Sequence, residues 1–573
     1  MISLRHYKER LPEETVTILK KILSDLGIAV VEEWKHEPVI DTYSLRLTIE
    51  GTEIGTNGKG ITREYARASA YAEFFERLQN GLLFKNVKYL SDIKWVLPEE
   101  MLQLDNSFAK FLKDSLKNEE DFMEFVGLEQ DKISSKIKIK EYYSMKYRKK
   151  VMIPIIAEKL YGSHGMCAGN TQYEALVQGL CEIFERYVMK TVLEEQIALP
   201  DIPEEYIMRF EKIYNMFKNI QQDNHYIVKL KDASLGGIYP VVALLIIQKN
   251  TGKYGIHFGS HPNFSIAAER AFTEAAQGRK LETFVKQYSL DFDLSHIKHL
   301  SNYYNIYGVS IGKYPYSLFK KDSTYKFAYD KIICEDSNEK IFKSLTNKIL
   351  NLDYDILIHD VSFLGFPSYH IIVPGFSELI DVTVENLRYF EFFNITEKLL
   401  SVPSKITKNN VALVIKTLEH YKNYVRYSKL KFIYKRKDQF EYPYEIYVAD
   451  IDYFLALCYG MIGNFEQGLR CIKLVSKKSI GGSAKEIVII CAMKLYFEAR
   501  YHLLKHQETM EILKNFFDDN ICKEIDSIFN NENEIIKKVI PDDSFIGNEN
   551  LIEENSLFKL KEASEKFFER CKR

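Results

Sequence analysis

Between residues 16 and 27 apolar side chains recur at helical spacing and stop at Gly27, whereas Ile28 to Val31 and Tyr43 to Ile49 read as short β-strand runs. A loop is expected over Gly51 to Gly60, followed by a helix from about Thr62 to Leu78. The same alternation of strand and helix patterns returns through residues 151–190 and 226–284, which predicts an α/β (α+β) core. Residues 100–140 are charged with helical periodicity and read as an insertion into that core. After Val373-Pro374-Gly375 and the turn at Pro403 the pattern changes to successive helices with short connections. The expected division is a core over 1–385 and an all-α domain over 386–573.

Within the helical part, Leu455 to Val475 reads as a hairpin with Gly463-Asn464 at its turn and with Phe465 and Leu469 on the apolar face. Gly463-x-Phe465-x-x-Gly468 resembles a degenerate tetratricopeptide (TPR) unit, and Glu486 to Phe517 would supply a second pair. Two imperfect units do not establish a period, and an ordinary helical bundle accounts for them equally well. Either version presents a surface for protein contacts.

Composition narrows the class. The 573 residues carry 78 Lys and Arg against 80 Asp and Glu, and a net charge of -2 lacks the basic excess of a dedicated DNA binder. The 8 cysteines are scattered without a C-x-x-C pair, as expected in a reducing cytosol. Early charges leave no apolar core for a signal peptide, and runs such as Val241 to Ile247 fall far short of the roughly 20 residues that span a bilayer. A cytoplasmic protein without a membrane segment is expected.

The chemistry-bearing feature is an internal echo. Gly60, Ala66, Glu73 and Glu76-Arg77 recur with the same spacing as Gly169, Ala175, Glu182 and Glu185-Arg186. A third helix carries the variant Glu274-x-x-Gln277 with Arg279 nearby. Residues three apart share a helix face, so each helix aims two oxygen-bearing side chains at one region, and three such helices could build a cage. Crowded carboxylates shift toward protonation unless cations separate them, and Mg2+ takes oxygen ligands while bridging to phosphates. Lys59 and the arginines supply charges suited to those phosphates. Any single Glu-x-x-Glu-Arg is more simply a solvated helix face. Here, however, the flanks are Ala66, Ala68, Ala70 and Ala72 in one helix and Leu176, Val177, Leu180, Ile183 and Phe184 in the other, which implies burial.

Other signals carry less. Lys59 is followed by Gly60 rather than Ser or Thr, so Gly55 to Gly60 is not a Walker motif. His257 and His261 lie in a segment read as loop, which argues against zinc, and Ser163-His164 lacks a nucleophile elbow.

Thr56-Asn57-Gly58-Lys59-Gly60, Ser69 to Arg77, Ala168-Gly169-Asn170-Thr171, Glu182 to Arg186 and Val373-Pro374-Gly375 together resemble the YcaO family, over roughly residues 1–385. The resemblance implies an ATP site without a P-loop, in which acidic side chains hold Mg2+ and a backbone amide is activated by phosphorylation. It implies Glu73, Glu76, Glu182, Glu185, Glu274 and Gln277 as metal ligands. Lys8, Thr15, Glu76, Asn170, Glu174, Gln178, Arg186 and Arg279 are implied as nucleotide contacts, with Arg186 and Arg279 neutralising phosphate charge. No enzyme nucleophile is implied, because phosphoryl transfer needs chiefly positioning and electrostatic stabilisation.

Within the family the chain is similar to standalone members associated with methylthiolation of a small-subunit ribosomal protein. That implies a ribosomal protein and a methylthiotransferase as partners, with a homodimer also considered. The alternatives are an azoline cyclodehydratase or thioamide synthetase acting on a precursor peptide, and a noncatalytic nucleotide-dependent accessory protein. Two departures stand out. The chain ends without the proline-rich tail common in cyclodehydratases, and Cys167 occupies a position where a small hydroxyl residue is common, which is expected to alter a nucleotide contact.

Overall fold

The computed structural model describes residues 7–35, 42–52, 54–83, 90–97, 99–100, 107–116, 120–121, 136–158, 160–276, 281–285, 288–298, 300–309, 312–383, 405–422, 429–435, 444–478, 484–539 and 554–571. It divides into two compact units, one comprising Met1–Asn386 with Asn548–Arg573, the other Leu387–Gly547.

The first unit opens with helix α1 (Pro12–Leu26), which ends at Gly27 with φ 74°, the left-handed conformation that a glycine accepts without a Cβ penalty. Strands β1 (Val30–Lys35), β2 (Tyr43–Ile49) and β3 (Gly55–Gly60) form an antiparallel sheet in that order. Gly55 to Gly60 is therefore a strand and not the expected loop. The reason is helix packing. On β3 a Cβ at Gly58 would fall 2.1 Å from the Ala66 carbonyl of α2 (Arg63–Gln79), and one at Gly60 would fall 2.5 Å from the Ala66 amide. Glycine in a strand marks such an approach.

A second sheet has the order β4 (Lys94–Val96), β5 (Ile137–Ser144), β12 (Leu357–Asp360), β13 (Ser368–Ile372), β7 (Met166–Ala168), with β6 (Lys149–Pro154) also paired to β5. A third runs β11 (Tyr288–Ser289), β10 (Lys253–Ser260), β9 (Val241–Gln248), β8 (Tyr226–Asp232). Every described strand pair in these sheets is antiparallel. The mixed α/β core is thus of the α+β kind. Helix α3 (Gln172–Glu195) packs on β7, β13 and β10, and α4 (Phe264–Ala276) on β10 and β9. Of the expected 100–140 insertion, Ser107–Leu116 is helical and buries Phe108, Ala109, Leu112 and Leu116. Residues 101–106, 117–119 and 122–135 lie outside the described residues.

In the second unit, helices α5 (Val411–Lys422), α6 (Ile451–Met461), α7 (Phe465–Lys478), α8 (Ala484–Tyr501), α9 (His506–Leu513) and α10 (Asp519–Phe529) enclose one apolar cluster. The α6–α7 turn contains Gly463 at φ 71°, and Gly468 lets α7 approach the Phe497 ring of α8. Two features stand beside the helices expected over 386–573. Strands β14 (Lys429–Lys435) and β15 (Tyr444–Asp450) form an antiparallel hairpin within the unit. The last helix, α11 (Glu554–Cys571), belongs to the first unit. Leu560 of α11 is fully buried in the cluster that holds Val16, Leu19 and Leu23 of α1. Lys559 Nζ donates to the Asp25 carbonyl at 2.9 Å, and Phe568 stacks on His359 with ring centroids 5.9 Å apart. Among the described residues no helix is long and apolar enough to cross a membrane.

Candidate functional site

The echo seen in the sequence has a packing cause. Gly58, Cys167 and Gly259 stand eight residues before Ala66, Ala175 and Ala267. Cβ atoms built on Gly58 and Gly259 would collide with the Ala66 and Ala267 carbonyls, at 2.1 and 2.2 Å. In the middle copy the bulk lies on the strand, and the helix answers with Gly179, whose added Cβ would fall 2.9 Å from Cys167 Sγ. Small residues thus seat α2, α3 and α4 close against their strands.

Thr62 and Thr171 cap α2 and α3, their hydroxyls accepting from the Tyr65 and Glu174 amides. Along α3, Asn170, Glu174, Gln178, Glu182 and Glu185 recur at steps of four and then three, forming a polar stripe on an otherwise apolar helix.

The N-terminal segment meets the start of this stripe. Glu174, only 4% exposed, accepts from Lys8 Nζ at 3.0 Å and from the Glu9 amide at 3.0 Å, and Asn170 Nδ2 donates to it at 3.1 Å. The Thr15 hydroxyl donates to Asn170 Oδ1 at 2.8 Å. Despite burial, the charge of Lys8 and these donors hold the Glu174 carboxyl below its ordinary range. Lys8, Thr15, Asn170 and Glu174 are therefore one connected group.

Further along lie the acids. Arg77 Nη2 stands 3.7 Å from Glu73 and its Nη1 3.5 Å from Glu76. Lys59 Nζ is paired with Glu274. Burial pushes Glu76 up to about 8, with Glu73 and Glu182 adding to the shift and Arg77 and Lys59 opposing it. Burial also raises Glu185, and Glu182 raises it further against the pull of Arg186, Lys59 and Arg270. Burial lowers Lys59 even though Glu73, Glu185 and Glu182 surround it. The structure thus brings Glu73, Glu76, Glu182, Glu185 and Glu274 into one electrostatic neighbourhood, whereas Gln277 and Arg279 lie outside the described residues.

Sequence reasoning missed Arg270, on α4 four residues before Glu274. Its Nη1 donates to the Ser260 carbonyl at 2.7 Å and its Nη2 to Gln178 Oε1. The signal was available: a basic residue one turn before Glu274 on a helix already singled out.

Three other residues singled out in the sequence have surroundings of their own. Cys167 lies near Glu76 and Glu182 of the acidic cluster, whose charges add to the shift of its thiol. Its thiol is buried beside Gly179, lies 3.7 Å from the Tyr369 carbonyl, and is raised well above the thiol range by burial. His257 belongs to β10 and is no loop residue. His164 lies in a turn with Nδ1 2.9 Å from the Ser377 carbonyl, and burial keeps it neutral.

Among the described residues no group of three or more His, Cys, Asp or Glu side chains stands at metal-holding separation, so the expected cage is not closed. Its place is taken by countercharges, with Lys59 on Glu274 and Arg77 beside Glu73 and Glu76. Arg186 Nη1, beside Glu185, is buried without a hydrogen-bond partner. Burial still pushes Glu76 and Glu185 toward protonation against these cations, and the buried Arg186 guanidinium N–H lacks an acceptor. A magnesium-bound polyphosphate matches both deficits in charge and donor type.

The carboxylate shift sets a pH dependence. Because the folded pKa of Glu76 is raised above its unfolded value, its stabilising contribution is complete below about pH 4.5. It is lost as pH rises toward 8, when the unfolded chain has released a proton that the folded one retains. Thermal melts of metal-free protein are expected to fall across that window, and Glu76→Gln is expected to flatten the fall.

Comparison with known proteins identifies the family. Residues 57–377 match the family model described as YcaO cyclodehydratase, ATP- and Mg2+-binding. The chain belongs to the YcaO family, for which ATP and Mg2+ are the cofactors. It is 31% identical over 393 residues to the "Ribosomal protein S12 methylthiotransferase accessory factor YcaO" of Escherichia coli (strain K12), and 30% identical over 393 residues to an uncharacterized protein of Haemophilus influenzae. Each match covers 65% of this chain and 66% of the relative. Among solved structures, similarity extends to a "Heterocyclase in complex with substrate and Cofactor" (TM-score 0.47, 17% identity, 65% of this chain and 53% of that one). It also extends to YcaO from Methanopyrus kandleri bound with AMPPCP and Mg2+ (TM-score 0.42, 16% identity, 64% of this chain and 92% of that one).

Proposed function

We propose that this protein uses ATP and Mg2+ to activate a backbone amide of a peptide or protein by phosphorylation, in support of methylthiolation of a small-subunit ribosomal protein. The observation that carries the reading is the coexistence, on adjoining helices, of buried carboxylates displaced toward protonation and the unpartnered Nη1 of Arg186. In this reading Mg2+–ATP supplies the phosphoryl group, and every other task falls to the chain. Glu73, Glu76, Glu182, Glu185, Glu274 and Gln277 would hold the metal. Lys8, Thr15, Asn170, Glu174 and Gln178 would bind and orient the nucleotide, and Arg186, Arg270 and Arg279 would neutralise phosphate charge. Lys59 and Arg77, which compensate the acids in the free protein, would exchange partners when metal and phosphate enter.

The ribosomal part of the proposal draws on the name of the E. coli relative and on the helices of the second unit, which would offer a surface to a partner. Azoline or thioamide formation is the second reading, favoured by the cyclodehydratase in the family description.

The test is phosphate release from ATP by the purified full chain. Turnover that requires Mg2+ and stops on chelation is expected, whereas nucleotide binding without turnover would return the protein to a noncatalytic accessory role. Mass spectrometry of the modified partner then separates the enzymatic readings, through loss of water for an azoline and oxygen-to-sulfur exchange for a thioamide.

A further inference from the structure

The second unit contains a pocket that amide activation leaves unused. It encloses about 360 Å³ and is lined by Lys408, Phe465, Tyr496, Arg500, His506 and Phe529, with the turn from Asn530 to Asn533 at its edge. One wall is aromatic. Tyr496 and Phe529 stack with ring centroids 4.4 Å apart, and the Arg500 guanidinium lies 4.4 Å above the Phe465 ring.

The charged groups are unevenly matched. Glu532, on the turn, contacts Lys408 Nζ, and Arg500 Nη2 lies 3.9 Å from the same carboxylate, so one negative charge serves two cations. Arg500 Nε is buried and has no hydrogen-bond partner. His506 is held in place, with Nδ1 3.0 Å from the Tyr496 hydroxyl and Nε2 2.8 Å from Asp526. The pocket therefore pairs a carboxylate with two cations beside an aromatic wall, and still has a buried guanidinium donor to satisfy.

We infer that this pocket binds a peptide carboxylate adjacent to an apolar side chain, and that Glu532 stands in for that carboxylate in the free protein. The apolar side chain lies against Phe529 and Phe465, the carboxylate meets Lys408 and Arg500, and Glu532, 38% exposed, swings out. A compact inorganic anion would leave the aromatic wall uncovered and would meet the charge of Asp526. The inference is independent of ATP turnover, since every residue involved lies in the second unit.

The test is fluorescence anisotropy of the full chain with three labelled hexapeptides that share a Leu-Phe pair. One has a glutamate and an amidated end, one a free chain-end carboxylate and no acidic side chain, and one no carboxylate at all. At least one carboxylate peptide is expected to bind about tenfold or more tightly than the neutral one, and which of them does so identifies an acidic side chain or a chain end as the source. Arg500→Gln and, at a more exposed position, Lys408→Gln are each expected to weaken that peptide by about tenfold. Glu532→Gln is expected to tighten it severalfold, because the internal competitor is gone. Equal binding of all three peptides overturns the inference. So does failure of Glu532→Gln to tighten the favoured peptide, or displacement of nothing but inorganic phosphate.

Discussion

Glu182→Ala is expected to reduce Mg2+-dependent ATP turnover by about a hundredfold or more, the scale on which removal of one pre-organised electrostatic group acts. Glu182 is the common neighbour of the acidic cluster and contributes to the shifts of Lys59, Glu76, Arg77 and Glu185. Its loss removes a prospective metal ligand, but it also removes a like charge from beside Glu76 and Glu185. The metal-free variant is therefore expected to melt no lower than the parent, and Mg2+–ATP is expected to stabilise it less than the parent. Activity down with stability unchanged or up separates a functional acid from a structural one. Unaltered turnover in a folded variant would remove Glu182 from the metal site and with it the strongest support for the proposed chemistry.

Leu560→Ala is expected to destabilise the first unit by about 2–5 kcal/mol, the cost of a large-to-small change at a fully buried leucine. The consequence reaches the nucleotide site through α1. Leu560 packs in the cluster with Val16, Leu19 and Leu23, and the same helix carries Thr15, while Lys8 lies in the segment just before it. A raised KM for ATP with little change in kcat is expected from steady-state kinetics, together with a lower denaturant midpoint. A variant with the parent's midpoint would show that α11 does not brace α1.

The core acids were legible because their spacing repeats, and the repeat has a physical origin in strand–helix pairs seated by small residues at Gly58 and Ala66 and at Gly259 and Ala267. Gly55 to Gly60 was misread because glycine is scarce in strands. The compensating feature, the alanine-rich face of α2, lies a few residues further on and becomes visible only once helix and strand are packed together. Arg270 falls outside the Glu-x-x-Glu-Arg pattern because it precedes Glu274 instead of following it. What identifies it is a contact with Gln178, 92 residues away in the chain. The docking of α11 on α1 was equally hidden, because amphipathic periodicity states that a helix has an apolar face without stating which partner covers it.

Since α11 returns to the first unit, the stretch Leu387–Gly547 is bounded on both sides by segments of that unit. It is an insertion moored at two ends, with no free terminus of its own. A segment joined to the chain at both ends has fewer conformations open to it than one joined at a single end. It also means that simple C-terminal truncation would strip α11 from α1 along with the helical unit, so excising the insert while splicing its two borders together is the cleaner way to ask what each unit does alone.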